Sequence, residues 1–185
     1  MKHTLSALTA ATLMLAASVA TAASSLDLNL SGDAVQFDAA GEIAPGIALG
    51  GGILHSGYRD DATQGHIQLL GVDRNSDLDI GIGARWSQYD TDYGNGGGLG
   101  LGGYGYAYLP QAPAVSLGGY AFYTPSVVTT SDLDDSLELG VRARYAFTRN
   151  VDGYVGYRRL RADFDTSPGN QTLDSGAHAG VRLTF

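Results

Sequence analysis

The sequence predicts an all-β fold: a transmembrane, antiparallel, up-and-down β-barrel of ten strands, with eight strands as the alternative. Several segments alternate between apolar and polar residues with the period of two that a strand with two different faces requires. Their polar face consists of Arg and Gly, with few of the Lys, Glu and Thr residues that usually cover a soluble sheet. The chain also stops at Phe185, on the apolar face of such a strand. A soluble exported β-sandwich would alternate as well, but together these features favour a barrel in lipid, where every backbone group is paired.

Residues 1–22 have the features of a secretory signal peptide. Lys2 and a short apolar run precede the residues "ATA" at positions 20–22, which have the A-x-A form of a cleavage site. The run is too short and too rich in Ala, Ser and Thr for a good spanning helix. We therefore expect residues 1–22 to be removed and residues 23–185 to form the outer-membrane β-barrel.

Charge and cysteine content exclude several functions. After residue 22 there is no lysine, and ten arginines stand against 19 carboxylates, a formal charge of −9. Such an acidic chain is a poor partner for nucleic acid, whose binding depends on cations that neutralise phosphates. The chain has no cysteine, which excludes disulfides, thiol catalysis and cysteine-ligated metal.

The alternation and the turn residues between segments predict ten strands, at residues 26–31, 34–41, 46–58, 65–73, 77–89, 98–109, 114–124, 136–147, 151–164 and 176–185. The first two segments could be one strand, but their apolar residues are even-numbered up to Leu30 and odd-numbered from Val35. A hairpin at "SGD" explains this change of phase, although a bulge would also produce it. The hairpin gives an even number of strands, as bacterial single-chain barrels have.

Polar residues opposite the apolar face are predicted to point into the lumen. They are Asp79, Arg85, Glu138, Arg142, Arg144, Arg158, His178 and Arg182. A barrel of eight to ten strands is narrow enough for side chains to fill it. In one interpretation the arginines pair with Asp79, Glu138 and tyrosine hydroxyls and fill the lumen, because inward charges need partners. In the other they line a constriction that favours small anions.

The stretch "GGGLGLGGYGYAYLP", residues 96–110, contains G-x-G-x-x-G twice. A nucleotide-binding loop needs a helix after the glycines, and no helix begins here, so we exclude phosphate binding. The leucines and tyrosines instead predict a strand in which glycine lets the wall curve. The leucines are odd-numbered and the tyrosines even-numbered, so the face of the tyrosines stays open. A bulge near Gly102 and Gly103 would turn both sets outward.

Short turns rich in Pro, Asn and Asp alternate with longer polar segments at residues 59–64, 90–97, 125–135 and 165–175. Outer-membrane barrels have short periplasmic turns and longer outside loops, so we expect both termini in the periplasm. The longer segments carry acidic residues: Asp60, Asp61, Asp90, Asp92, Asp132, Asp134, Asp135 and Asp165. These form either a solvated rim or sites for divalent cations shared with lipid phosphates.

Aromatic residues near strand ends are typical of the girdles that flank the apolar band of a barrel. The set comprises Trp86, Tyr89, Tyr106, Tyr108, Phe122, Tyr123, Tyr145 and Phe147. Of these, Trp86, Tyr89, Tyr145 and Phe147 are our predicted interfacial aromatics.

No catalytic arrangement is predicted, and we expect no cofactor and no metal centre. His55 and Ser56 are a conceivable base and nucleophile, but adjacent strand residues point to opposite faces. An enzyme would need His55 or His178, and no nucleophile, base and orienting residue share one strand face or loop.

Five segments resemble the YfaZ family of proteobacterial outer-membrane proteins: "LDLNLSGDAVQFD", "GYGYAYLP", "VSLGGYAFYTPS", "DGYVGYRRLRADF" and "AGVRLTF". The resemblance covers essentially all of residues 23–185. It implies a barrel in the outer membrane of a Gram-negative cell, in contact with outer-membrane lipids, and it implies no reaction. The ending resembles the C-terminal signal that barrel-assembly machinery reads, here Phe185 with Leu183 and Val181 on the same face.

The expected function is that of a small outer-membrane barrel with an envelope structural or interaction role and a lumen filled by side chains. A narrow passive channel for small solutes or anions is the alternative. An outer-membrane enzyme is the third hypothesis.

Overall fold

The computed structural model describes residues 24–59, 61–166 and 169–185, so the predicted signal peptide lies outside the described residues. The strands are β1 (Ser24–Ser31), β2 (Ala34–Ala44), β3 (Ile47–Ser56), β4 (Ala62–Arg74), β5 (Leu78–Thr91), β6 (Gly94–Leu109), β7 (Ala112–Thr124), β8 (Thr129–Ser131), β9 (Leu133–Ala146), β10 (Val151–Phe164) and β11 (Gln171–Thr184). A short 3-10 helix, Ser126–Val128, precedes β8. Within these ranges, no helix has the length and apolar character needed to cross a bilayer.

Ten of the strands close into an antiparallel barrel. Each pairs with the next along the chain, β7 pairs with β9, and β1 pairs with β11 to complete the circle. This confirms the predicted ten-stranded barrel over the eight-stranded alternative. In the β1–β2 hairpin Leu30 lies opposite Val35, so the change of phase marks a turn and not a bulge. The short strand β8 pairs with residues 96–98 of β6, beyond the end of β7.

The two ends of the barrel differ. At one end Ser24 and Phe185 exchange backbone hydrogen bonds of 3.0 and 2.9 Å. We call this the terminal end; its turns are residues 45–46, 75–77, 110–111 and 147–150. The opposite end, which we call the loop end, carries residues 32–33, 57–59, 61, 92–93, 125–132, 165–166 and 169–170 between the long strands.

One predicted loop, residues 90–97, is wrong. Strand β5 runs to Thr91 and β6 begins at Gly94, which leaves a turn of residues 92–93. The glycines at the start of β6 continue the ladder, and Gly96 lies opposite Tyr89. The predicted loop 165–175 is also shorter, because β11 begins at Gln171. Polar and glycine residues extend these strands because a neighbouring strand supplies hydrogen-bond partners.

Aromatic rings inside the barrel cover glycines on the neighbouring strand. The directly opposed pairs are Gly81 with Tyr104, Gly118 with Tyr106, Gly102 with Phe122, Gly140 with Tyr120 and Gly180 with Tyr154. A Cβ atom added at Gly81 would lie 2.5 Å from Cε1 of Tyr104, so the ring occupies the space that a side chain would fill. Such pairs protect the backbone of strongly curved strands and fix their register.

This arrangement settles which face the tyrosines of β6 take. The β5–β6 register is continuous through Gly102 and Gly103, so the bulge that would turn both sets outward does not form. Leu99 and Leu101 face outward and are 43% and 68% exposed, whereas Tyr106 faces the lumen and is 3% exposed. The odd and even positions of β6 therefore take opposite faces, as in an uninterrupted strand.

Candidate functional site

The lumen at the loop end is filled by buried apolar side chains that we call the apolar cap. Its members are Ala34, Leu54, Ala62, Tyr89, Leu133, Leu160, Ala162, Phe164 and Leu173. All lie in the loop-end portions of their strands, and Leu160 and Phe164 are only 1% exposed. Burying a large apolar side chain contributes roughly 1.5–3 kcal/mol. This cluster was not predicted from the sequence.

Directly below the apolar cap, Arg158 forms a buried ion pair with Asp174. The Nε atom of Arg158 donates to Oδ2 of Asp174 at 2.6 Å, and Oγ of Ser56 donates to Oδ1 at 3.2 Å. Arg158 also donates to Oε1 of Gln36. The β10–β11 register is regular as far as Leu160 and Asp174, and a bulge then places Thr172 opposite Arg161, so Leu173 is buried beside Asp174. The network engages Nε and Nη1 of a guanidinium that is 1% exposed, whereas its Nη2 atom has no hydrogen-bond partner among the described residues.

Arg85 and Glu138 meet across the middle of the lumen. Nη1 of Arg85 lies 2.8 Å from Oε2 of Glu138, although the two residues are on β5 and β9. Nε and Nη2 of Arg85 donate to Oε1 of Gln68 at 3.0 and 2.8 Å. The guanidinium also stacks over the Phe122 ring, 3.5 Å from its centroid. This arginine is therefore paired, hydrogen-bonded and packed.

Asp27 joins two further arginines from the lumen. Its Oδ2 atom lies 3.7 Å from Nη1 of Arg142 and 3.2 Å from Nε of Arg182. Its Oδ1 atom accepts a hydrogen bond from the Tyr154 hydroxyl. Arg142 also lies over the rings of Tyr154 and Tyr120, with centroids at 4.5 and 5.1 Å. Asp27 is 3% exposed, so it acts as a buried counter-charge.

Asp79 performs the same role nearer the terminal end. Its carboxylate lies 3.6 Å from Nη1 of Arg144 and 3.3 Å from Nε of Arg74. Its Oδ1 atom accepts a hydrogen bond of 3.0 Å from the Tyr104 hydroxyl. Arg144 stacks over Tyr106, 3.1 Å from the ring centroid. The arginines at this level thus have a carboxylate and aromatic faces as partners.

Two histidines face the lumen. Nε2 of His66 lies 3.5 Å from Oδ1 of Asp38. His178 packs edge-on to Tyr154, with ring centroids 6.0 Å apart, and neither of its ring nitrogens has a hydrogen-bond partner among the described residues. Nothing in this geometry arranges His178 with a nucleophile.

Two cavities lie on the terminal-end side of the apolar cap. One, of about 120 Å³, is lined by Asp27, Asp38, His66, Arg85, Glu138 and Arg142 among others. The second, of about 360 Å³, opens at the terminal end beside Arg74, Asp79, Arg144, Arg149 and Arg182. Of these two cavities, the larger is therefore the one at the end where the termini meet.

The structure brings all eight predicted lumen residues inside the barrel. The pairing of arginines with Asp79 and Glu138 follows the filled-lumen interpretation. Five further lumen residues were not predicted from the sequence: Asp27, Asp38, His66, Arg74 and Asp174. Asp27 could have been found, because it alternates with Leu26 and Leu28 in a predicted strand. Asp174 was missed because it fell in the predicted loop 165–175, although it has the same parity as the inward residues His178 and Arg182.

Tyr89 is a wrong prediction. We expected it in an interfacial girdle, but it is 2% exposed and lies in the apolar cap. Its hydroxyl donates to Oγ of Ser136 at 3.1 Å and accepts from Nε2 of Gln64 at 3.3 Å. The physical reason is parity: Tyr89 comes three positions after the outward Trp86, and an odd number of positions puts the two on opposite faces. Tyr106 and Phe122, also expected in girdles, face the lumen for the same reason.

The other three predicted interfacial aromatics and the three predicted C-terminal signal residues lie on the outer surface. Trp86, Tyr145 and Phe147 are 39%, 50% and 65% exposed. The C-terminal residues Val181, Leu183 and Phe185 are 46%, 44% and 63% exposed. Their roles as an interfacial girdle and as an assembly signal stay predictions.

His55 and Ser56 take opposite faces, as alternation requires. His55 is exposed, with Nδ1 3.1 Å from Oγ1 of Thr63, while Ser56 is buried against Asp174. The pair therefore forms no base and nucleophile.

Comparison with known proteins assigns the chain to a family. A family model described as "YfaZ precursor" matches residues 2–185. The chain belongs to the YfaZ family. No curated protein matches the sequence. The family assignment agrees with the resemblance in the strand sequences.

Two solved structures show what this YfaZ-family barrel is similar to. The outer membrane protease OmpT from Escherichia coli is 11% identical, with a TM-score of 0.52, over 88% of this chain and 93% of that one. The KdgM porin is 13% identical, with a TM-score of 0.47, over 88% of this chain and 99% of that one. At these identities the likeness to OmpT concerns the fold alone, which is that of an outer-membrane barrel.

Proposed function

We propose that this YfaZ-family protein is a closed outer-membrane barrel with a structural or interaction role in the envelope. The apolar cap carries the proposal, because nine buried side chains fill the lumen at the loop end. Water and ions cross a pore only where the path stays wet, and hydrophobic constrictions close pores by dewetting. The ion-paired arginines below the cap support the same conclusion, because each already has an acidic partner.

Conductance of the refolded residues 23–185 in a planar lipid bilayer tests the proposal. Folding is first confirmed by the shift in gel mobility on heating. We expect properly folded protein to show no steady openings. Steady openings with anion selectivity, changed by neutralising Arg142 and Arg144, would overturn the proposal in favour of the channel.

The channel alternative has one observation in its favour, the cavity of about 360 Å³ at the terminal end. Its arginines would attract small anions, but an open path would also have to pass Arg158 and the apolar cap. We therefore treat this cavity as a vestibule that ends inside the barrel. The enzyme hypothesis draws no support from His55 and Ser56, which lie on opposite sides of the wall.

The proposed orientation has both termini in the periplasm and the loop end outside the cell. The short turns at the terminal end and the longer segments 125–132 and 165–170 at the loop end support it. An epitope inserted within residues 125–132 should be labelled by antibody on intact cells, whereas one within residues 75–77 should require permeabilised cells. The reverse pattern would overturn the orientation.

The proposed partners are outer-membrane lipids, the barrel-assembly machinery at Phe185, and divalent cations at the acidic loops. Asp60 lies outside the described residues. Elsewhere in the described chain no three His, Asp or Glu side chains are grouped to hold a metal ion, so lipid phosphates would have to complete each ligand set. Equal stability in magnesium and in a chelator would count against the cations.

A further inference from the structure

An apolar groove of about 1280 Å³ crosses the outer surface of β5, β6, β7 and β9. Its floor consists of small outward residues on β6 and β7, namely Gly103, Gly105, Gly119 and Ala121. Its walls are large apolar residues on the flanking strands, Ile80 and Ile82 on β5 and Leu139 and Val141 on β9. These wall residues are 43% to 76% exposed, so they stand out from the barrel on both sides of the floor.

The floor is low because two of its glycines admit no side chain. A Cβ atom at Gly103 would collide with the backbone oxygen of Gly81, and one at Gly119 with that of Gly140. Gly105 is different, because its added Cβ would meet only Cγ2 of Ile80 at an ordinary 3.7 Å. The groove is thus part of the wall, and Gly105 and Ala121 are the floor positions where it could be filled.

The register leads from this groove to Arg159. Ile82, Gly103, Ala121, Leu139 and Arg159 lie directly opposite one another on successive strands. Arg159 also lines the groove, at the end toward the loop side of the barrel.

Arg159 marks a change of polarity on the outside of β10. Towards the terminal end the outward residues are Val155 and Tyr157, and towards the loop end they are Arg159, Arg161 and Asp163. Arg159 is exposed, and no described carboxylate lies within ion-pair distance of it. A guanidinium at the edge of the apolar band favours an anion, and phosphate matches its planar fork of donors.

We propose that this groove binds an acyl chain of a phosphorylated glycolipid of the lipid A type, whose phosphate pairs with Arg159. The apolar groove and the adjoining unpaired cation match the two parts of such a lipid. The assignment to the outer leaflet rests on the proposed orientation, in which the loop end faces outward.

Lipid A binding to the refolded protein in zwitterionic detergent micelles tests the proposal. Native mass spectrometry counts the bound lipid, and the gel shift on heating reports the temperature of unfolding. We expect the wild type to retain lipid A and to unfold at a higher temperature in its presence. Arg159→Gln and Ala121→Leu should each weaken binding about tenfold or more, because they remove the cation and fill the floor.

Matched controls separate the groove from the rest of the surface. Arg59→Gln removes an arginine from the loop end, and Ala179→Leu adds the same side chain on β11, away from the groove. Both should bind lipid A as the wild type does. If Ala121→Leu fails to show the full gel shift, Gly105→Val replaces it.

Three results would overturn the proposal: unchanged binding in both groove variants, equal protection of the wild type by phosphatidylglycerol, or a dimer that protects the groove without lipid. The outcome is independent of the conductance test, because a channel could carry the same groove. Lipid A binding is also measured in micelles, where the protein has no fixed orientation. Reversed epitope labelling on cells would therefore contradict only the assignment of the groove to the outer leaflet.

Discussion

The two halves of β10 have opposite polarity. Near the terminal end Val155 and Tyr157 face outward while Tyr154 and Arg158 face the lumen. Beyond Arg158 the arrangement inverts. The outward residues are now charged: Arg159, Arg161 and Asp163. The residues that fill the lumen are apolar: Leu160, Ala162 and Phe164. The first half has the polarity of a barrel in lipid, and the second half that of a barrel in water.

The inversion shows how one barrel combines a charged interior with an apolar one. In the lipid-facing half, the outward residues must be apolar, so arginines and carboxylates can be placed inside only as satisfied pairs. In the loop-end half the outward residues of β10 are charged, as on a surface in water, and the interior is apolar. The apolar cap then shields the ion pairs from water on that side, which strengthens their attraction.

The largest effect is expected where the two halves meet, at the buried pair of Arg158 and Asp174. Asp174→Asn removes the counter-charge and leaves the guanidinium buried, which should lower the free energy of unfolding by about 3–5 kcal/mol. Urea titration of the refolded protein in lipid vesicles measures this change. Arg149→Gln, in an exposed turn, is the control and should have little effect. A loss below about 1 kcal/mol would show that the pair is solvated.

The next effect concerns the apolar cap alone. Leu160→Ala opens a cavity among side chains that are fully buried and should cost about 3 kcal/mol. Leu139→Ala, the residue opposite Arg159 on the outer surface, removes the same atoms from a side chain that is 43% exposed. It should cost clearly less in the same vesicles, because lipid fills the vacated space. Equal losses at the two positions would contradict the idea of a packed cap.

A charge placed on the outer surface tests the lipid-facing half. Val155→Arg puts a cation in the apolar band and should cost about 2–3 kcal/mol. Gln88→Arg, outward on β5 beyond Trp86, should cost at most about 1 kcal/mol, because cations near the interface are tolerated. Both are measured by urea titration in vesicles. Similar values at the two depths would mean that the apolar band does not end where the polarity of β10 inverts.

The sequence alone predicted the lipid-facing half well. Alternation identified the strands and the inward arginines, because an inward Arg between outward Leu and Val gives a strong signal of period two. The hairpin at residues 31–33 followed from a change of phase in the same signal. These features depend on neighbours along the chain, so one sequence suffices to recognise them.

The loop-end half was beyond the same reasoning. Leu160, Ala162 and Phe164 alternate as well as Val155 and Tyr157 do, but their alternation has the opposite sense, and a single strand does not reveal which solvent surrounds it. The partner of Arg158 was missed because Asp174 fell in a predicted loop, whereas pairing with β10 extends β11 back to Gln171. Tyr89 was predicted to lie in the interfacial girdle because it is aromatic, although its odd position in β5 puts it on the inward face.

The smallest effect is expected at Tyr89, which belongs to both regions. Its ring packs in the apolar cap, while its hydroxyl joins Ser136 and Gln64. Tyr89→Phe keeps the ring and removes the hydroxyl, so it should cost about 1 kcal/mol, the value of a typical hydrogen bond. Tyr145→Phe, on the outer surface, is the matched control and should change the unfolding midpoint less. A larger loss of stability at Tyr145 than at Tyr89 would mean that the Tyr89 hydroxyl does not act as a buried hydrogen-bonding group. A larger loss at Tyr89, which we expect, would locate the border between the apolar cap and the polar lumen at the Tyr89 hydroxyl.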